Sequence, residues 1–339
     1  MMPVDLVEWV KESATRTRED LPGGLLESSF EAYLGVWHTI GTRLRPGLNV
    51  FERDWDALIV LDACRVDALR AVAGEYSFLD EVPRVLSAGS GSHEWMAQTF
   101  RKKYADEIAR TAYTNPNGFS ELCFIDHEYP PRRTVPFGSF RWDVADADDF
   151  GLLDINWKRG HDSELGIVPP RFMTDRAIRI GRETDFDRYI VHYYQPHKPY
   201  LAGPIRESRP PTDLESEPWE HLKRDAATRR EVWELYLDNL RFVLDDVAIL
   251  LRNLDAERVV ITADHGDAIG EFRAYGHPEG FLHPVTRYVP WAETTAADER
   301  TYHPDNGAEI GHEHRLETES RREEVDATVV DRLSELGYK

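Results

Sequence analysis

Asp56-Ala57-Leu58-Ile59-Val60-Leu61-Asp62 is a short apolar run flanked by acids. Both faces of such a run have to be covered, which is the pattern of an inner strand of a parallel sheet, and Asp62 then stands at its carboxyl end. Arg258-Val259-Val260-Ile261-Thr262-Ala263 repeats the signal and ends at Asp264. Asp187-Arg188-Tyr189-Ile190-Val191-His192-Tyr193-Tyr194 supplies a third run of the same kind. Helical patterns lie between them, at 65–73, through Trp95, Met96 and Phe100, from Pro169-Pro170 to about 182, and as a long amphipathic stretch over 225–253. Residues 78–86 read as a further strand and 285–290 as the last. This alternation predicts an α/β fold whose mostly parallel, doubly wound sheet is flanked by helices.

Outside that frame, residues 4–20 and 25–43 carry apolar positions at helical spacing, so 1–50 reads as an N-terminal helical segment whose Trp and Leu stripes pack. The main domain is expected over 51–292. Within it, 114–168 is rich in Pro, Gly, Asn and Asp and reads as an irregular insertion over the functional edge of the sheet. Residues 293–339 form a tail with a helix expected at about 320–336.

The chain has 339 residues with 62 acidic against 41 basic side chains, a net charge of -21 that repels nucleic acid phosphates and anionic membrane surfaces. Arg greatly exceeds Lys among the basic residues, and with so much carboxylate the composition resembles that of proteins from salt-accumulating halophilic archaea. Cys64 and Cys123 are the only cysteines, which excludes a disulfide framework and a Cys-rich zinc site. No stretch approaches the roughly 20 apolar residues of a membrane span, so the expectation is a cytoplasmic protein without membrane insertion. Its oligomeric state is not legible.

Ligands in open α/β sheets gather beyond the carboxyl ends of the strands, where Asp62 and Asp264 meet. Two carboxylates held together need a cation or a shared proton, and His265 offers a nitrogen suited to zinc or manganese. The competing reading makes each acid a helix or turn cap. Thr262-Ala263-Asp264-His265-Gly266-Asp267, followed by Gly270-Glu271, resembles the Thr-x-Asp-His-Gly metal motif of the alkaline phosphatase superfamily, which includes sulfatases, phosphonate monoester hydrolases and phosphoethanolamine transferases. Leu61-Asp62-Ala63-Cys64-Arg65-Val66-Asp67 is similar to the metal-ligand segment of sulfatase-like proteins, with Arg65 and Asp67 read as an ion pair steadying the turn.

The resemblance, which spans about 54–292, implies an alkaline phosphatase-like fold and a metal-dependent hydrolase, or a phospho-group transferase of the same superfamily. Asp62, Asp264, His265, Ser92 and His277 are implied as metal ligands, for one or two divalent ions, Zn or Mn first and Mg or Ca next. The nucleophile belongs on the loop Ser87-Ala88-Gly89-Ser90-Gly91-Ser92, at a helix N-terminus that favours a bound phosphate or sulfate; Ser92 is chosen and Ser90 is second. The Pro-His-x-Pro-Tyr core at 196–200 resembles a segment whose His contacts the transferred group or a second metal, a role His197 inherits, with Lys198 beside it. His277, in Tyr275-Gly276-His277-Pro278, is implied as a ligand or as the group that protonates the leaving group; His283 is weaker and His192 reads as core.

The chain departs from classical sulfatases at Ser92-His93-Glu94-Trp95-Met96, which lacks the Pro or Ala and the Arg of the formylglycine context, and at Ala63, where they pair a second acid. The expected substrate is therefore a small-molecule phosphate mono- or diester, with sulfate esters second. A non-catalytic metal- or anion-binding relative remains the other class. A dinucleotide-binding fold is disfavoured because Asp62-Ala63-Cys64-Arg65 has no glycine-rich turn.

Overall fold

Ala57–Leu61 forms strand β1, with all five residues buried, in a computed structural model that describes residues 6–304 apart from 134 and 137. The period-2 geometry of the strand divides these side chains between two cores. Ala57, Ile59 and Leu61 pack with the helices Val66–Val72, Pro170–Glu183 and Arg229–Leu251 on one face. Leu58 and Val60 pack with Trp95, Met96, Phe100 and Phe124 on the other. A continuous apolar run is thus the signature of a strand covered twice.

The remaining strands are β2 (Arg84–Leu86), β3 (Thr111–Asn115), β4 (Leu152–Ile155), β5 (Arg188–Tyr193), β6 (Ala256–Thr262), β7 (Ala268–Ile269), β8 (Tyr275–Gly276) and β9 (Tyr288–Ala296). The main sheet runs β2-β9-β6-β1-β5-β3-β4, and β7 pairs with β8 in a separate hairpin. β6, β1, β5, β3 and β4 are mutually parallel; β9 is antiparallel to both β6 and β2. The mostly parallel, helix-flanked α/β architecture is therefore as expected.

Three local expectations are corrected. The stretch 114–168 is not wholly irregular, because it holds the end of β3, the helix Phe119–Phe124 and all of β4. These strands were hidden by polar residues that only the tertiary structure satisfies. Asp154 on β4 is fully buried and accepts from Thr114 Oγ1 at 2.6 Å and from Arg176 Nη2 at 2.7 Å. The strand expected over 78–86 shrinks to Arg84–Leu86, an edge segment held by β9. The last strand starts later than expected and continues to Ala296, after a helical turn at Pro284–Arg287.

The chain opens with two helices, Leu6–Glu19 and Leu21–Leu44. Among the described residues no helix is long and apolar enough to cross a membrane. The helix expected at 320–336 lies outside the described residues.

Candidate metal centre

β1 pairs with β6 so that Val60 lies opposite Thr262, and two residues further on the same register sets Asp62 against Asp264. The chain leaves β1 through Ala63, whose φ of 63° turns it sharply away from the strand. The N–H groups of Ala63 and His265 donate to Asp264 Oδ1 at 3.2 and 2.9 Å. The helix Val66–Val72 begins after Arg65, so Asp62 is not its cap. Gly266 is obligatory, since a Cβ there would lie 2.1 Å from the Val285 carbonyl oxygen.

Asp62, Asp264 and His265 form one group of potential ligands whose donor atoms lie within 4.8 Å of one another. His265 Nε2 is 3.4 Å from Asp62 Oδ1 and 3.5 Å from Asp264 Oδ2. Ser92 opens the helix Ser92–Thr99, and its Oγ is 3.3 Å from both Asp62 Oδ2 and His265 Nε2. The loop before it packs closely, because a Cβ on Gly89 would lie 2.3 Å from the Trp95 nitrogen. Ser90, the second choice, is turned away, donating to Glu94 at 2.8 Å and accepting from Gly280 N–H at 2.9 Å.

His197, Asp267 and His277 form a second such group. The β7–β8 hairpin pairs Ala268 with Gly276, which brings His277 back onto Asp267, with Nδ1 2.7 Å from Oδ1. The rings of His277 and His265 are 4.1 Å apart between centroids, and those of His277 and His197 5.2 Å, so the two groups adjoin. His277 thus keeps company with Asp267 and His197. Asp267 was missed as a candidate although it stands in the quoted motif, because only the hairpin shows which of its neighbours it faces.

Two side chains of the helix Arg229–Leu251 hold both loops. Tyr236 Oη donates to the Ala63 carbonyl at 2.8 Å and accepts from Arg65 N–H at 2.9 Å. Asn239 donates to the carbonyls of Pro196 and His197 at 3.1 and 3.2 Å and accepts from Leu201 N–H at 2.9 Å. The helix itself starts at a Thr228/Glu231 capping box. Arg65 pairs with Asp67 at 2.7 Å, as expected, and also with Glu271 at 2.9 Å.

The electrostatics of the two groups suit a cation. Burial, reinforced by the charge of Asp264, holds the Asp62 carboxyl above its usual range. Burial also works against the His265 imidazolium, but Asp264 and Asp62 outweigh it and push its pKa up to about 10. His197 is the reverse case, with burial taking it down to about 3. Its Nδ1 lies 2.6 Å from the Lys198 carbonyl, which can only accept, so Nδ1 carries the proton and Nε2 presents a lone pair. Asp264 Oδ2 and Asp267 Oδ2 are buried without a hydrogen-bond partner among the described residues. Acceptor oxygens left without donors, facing imidazole nitrogens, fit a divalent cation in each group.

Other candidates fall outside the two groups. His192 is fully buried, as expected of core, with Nδ1 3.0 Å from Tyr113 Oη and Nε2 3.7 Å from Asp264 Oδ2. His283 caps the Pro284–Arg287 turn. Lys198 is only 4% exposed and donates to both carboxylate oxygens of Glu217 at 3.1 Å. Asn117 Nδ2, 3.4 Å from Asp62 Oδ2, is an addition that no sequence signal announced. A cavity of about 170 Å³ opens over Ser92, His197 and His277, walled by Phe119, Arg132, Trp219 and Tyr275.

No protein-family model matches the chain, and no curated protein matches it. Solved structures resemble it at low identity. A putative sulfatase from Bacteroides thetaiotaomicron is 13% identical over 71% of this chain and 64% of its own, with a TM-score of 0.40. The soluble domain of lipooligosaccharide phosphoethanolamine transferase A from Neisseria meningitidis is 14% identical over 70% and 75%, with a TM-score of 0.44. The phosphonate monoester hydrolase of Agrobacterium radiobacter is 13% identical over 72% and 68%, with a TM-score of 0.38. The chain therefore spans less than two thirds of the length of that sulfatase. These are likenesses of overall strand and helix arrangement; what the site can do is read from this chain's own side chains.

Proposed function

We propose that the chain is a metal-dependent hydrolase of phosphate mono- or diesters, with Ser92 as nucleophile. The observation that carries this reading is the position of Ser92 Oγ at a helix N-terminus, 3.3 Å from Asp62 and from His265, beneath the mouth of a cavity that the second ligand group also lines. Asp62, Asp264, His265 and the Ser92 hydroxyl would hold one cation, and Asp267, His197 and His277 a second. Imidazole beside carboxylate in each set favours zinc or manganese over magnesium or calcium. A cation bound there supplies Lewis acidity to the ester oxygens and lowers the pKa of an adjoining hydroxyl.

The chain's own contribution is orientation and charge. The Gly91-Ser92 turn directs backbone N–H groups at the anion, and the helix behind them adds its positive end. Ser92 Oγ gives up its proton to water in the cavity and attacks phosphorus, forming an O–P bond as the ester P–O bond to the leaving group breaks. His277 and His197 border the cavity beside that serine, where they would hold the second cation, and the departing oxygen takes its proton from water. Water then releases phosphate from Ser92 and restores the hydroxyl. Phosphate is preferred to sulfate because Ser92-His93-Glu94-Trp95-Met96 lacks the formylglycine context. Within this reading the substrate is a small ester in the cytosol.

The test is to strip metal from the protein, restore Zn²⁺ or Mn²⁺ in molar KCl, and assay aryl phosphate, phosphodiester and sulfate esters side by side. Metal-restored phosphate release that Ser92→Ala lowers by ~10³-fold or more is expected. Full turnover by Ser92→Ala rejects the nucleophile, and a sulfate preference rejects the substrate class.

A further inference from the structure

The helix Leu21–Leu44 has two unlike faces. Gly24, Ser28, Glu31, Leu34, His38 and Thr42 are buried. That side is fastened to the rim of the cavity, where Trp37 Nε1 donates to Glu94 at 3.2 Å, His38 Nε2 lies 3.4 Å from Glu279, and Tyr33 Oη donates to the Gly280 carbonyl. The opposite side carries Leu21, Leu25, Leu26, Val36, Ile40 and Leu44, each 44% to 76% exposed among the described residues. Ser29 completes the row, its hydroxyl bonded back to the Leu25 carbonyl at 2.7 Å. A solvent-facing stripe about 36 Å long is unusual on a chain with a net charge of -21.

We infer that this stripe is the contact between two copies of the chain, paired antiparallel about a two-fold axis that passes between residues 32 and 33. Most of the row is self-complementary under that operation. Leu21 falls on Leu44, Leu25 on Ile40 and Ser29 on Val36, so the apolar ends meet and the small Ser29 meets β-branched Val36, while Leu26 falls on Thr39. Charge selects the same pairing. Antiparallel packing sets the Arg43 end of one helix beside the Asp20 end of the other, whereas a parallel pair would stack Arg43 on Arg43. The opposed helix dipoles agree. A lipid surface fits less well, because acidic side chains outnumber basic ones across residues 6–44, the reverse of an interfacial helix. The inference is independent of the proposed chemistry, although pairing would brace the helix whose inner face holds the cavity rim.

Light scattering and sedimentation of the full chain in molar KCl should give twice the 39.1 kDa chain mass. Ile40→Glu, at an exposed position, should weaken association by ~100-fold or more while leaving the far-ultraviolet circular dichroism unchanged. Both native cysteines are buried, so engineered thiols report without background. Leu25→Cys with Ile40→Cys should crosslink two chains under mild oxidation, and Ile40→Cys alone should not. A monomer at all concentrations, a dimer indifferent to Ile40→Glu, crosslinking by Ile40→Cys alone, or a monomer that floats with anionic vesicles would each overturn the proposal.

Discussion

The two candidate ligand groups differ in what holds them. Asp62, Asp264 and His265 stand at the ends of β1 and β6, neighbouring strands whose register is locked by backbone hydrogen bonds along their length. Asp267, His197 and His277 stand on a hairpin and a loop whose geometry depends on Asn239 and on the Asp267–His277 contact. The first group concentrates negative charge in a buried space, and the second is mostly neutral imidazole. A strand end therefore positions ligands by sheet geometry, while a loop must borrow its order from side chains elsewhere.

The sharpest way to break this contrast is to remove the carboxylate that the two strand ends share. Asp264→Asn should lower metal-restored turnover by ~10³-fold or more and leave the second group able to bind a cation. Isothermal titration with Zn²⁺ should then report one site fewer, and unchanged stoichiometry would refute the division. Asp267→Asn should act on the other group, with a loss of ~10²-fold in activity and retention of the first site.

Protonation separates the groups without mutation. In the metal-free protein His265 titrates at about 10, so it is protonated at pH 8 and must lose that proton when a cation binds. Affinity at the first group should rise by up to about tenfold per pH unit toward pH 10. His197, held down to about 3 by burial, is already neutral at pH 8, and His277 is lowered as well. Cation uptake there should release no proton. Titration in buffers of different ionisation enthalpy distinguishes the two, and equal proton release from both would contradict the assignment.

The smallest effect is expected from loosening the loop. Asn239→Ala removes the bonds to the carbonyls of Pro196 and His197 and to the amide of Leu201, so affinity at the second group should fall about tenfold while Ser92 and the first group stay in place. An unfolding midpoint shifted without any change in metal affinity would show that Asn239 serves only the fold.

The apolar runs at 57–61, 188–193 and 256–262 were legible because a strand buried on both faces needs continuous apolar sequence. Asp62 and Asp264 were legible because they interrupt such runs where the backbone leaves the sheet. β3 and β4 were not, since Thr114 and Asp154 look like loop residues until Arg176 arrives from another helix to satisfy them. Ser92 was reached through its helix N-terminus and a family resemblance, whereas its distance from His265 depends on the separation of two strand-to-helix turns.

The sequence by itself determined the inner strands β1, β5 and β6 and the helices between them, the strand-end acids and the Asp-His-Gly turn, because periodicity and steric rules act between near neighbours in the chain. Only the tertiary structure decided that Asp267 joins His197 and His277, that Tyr236 and Asn239 tie down the loops carrying the site, and that one face of the helix Leu21–Leu44 meets solvent. Those outcomes depend on groups as far as 247 residues apart in sequence, whose meeting is set by packing of the whole domain and by the need to satisfy buried polar atoms.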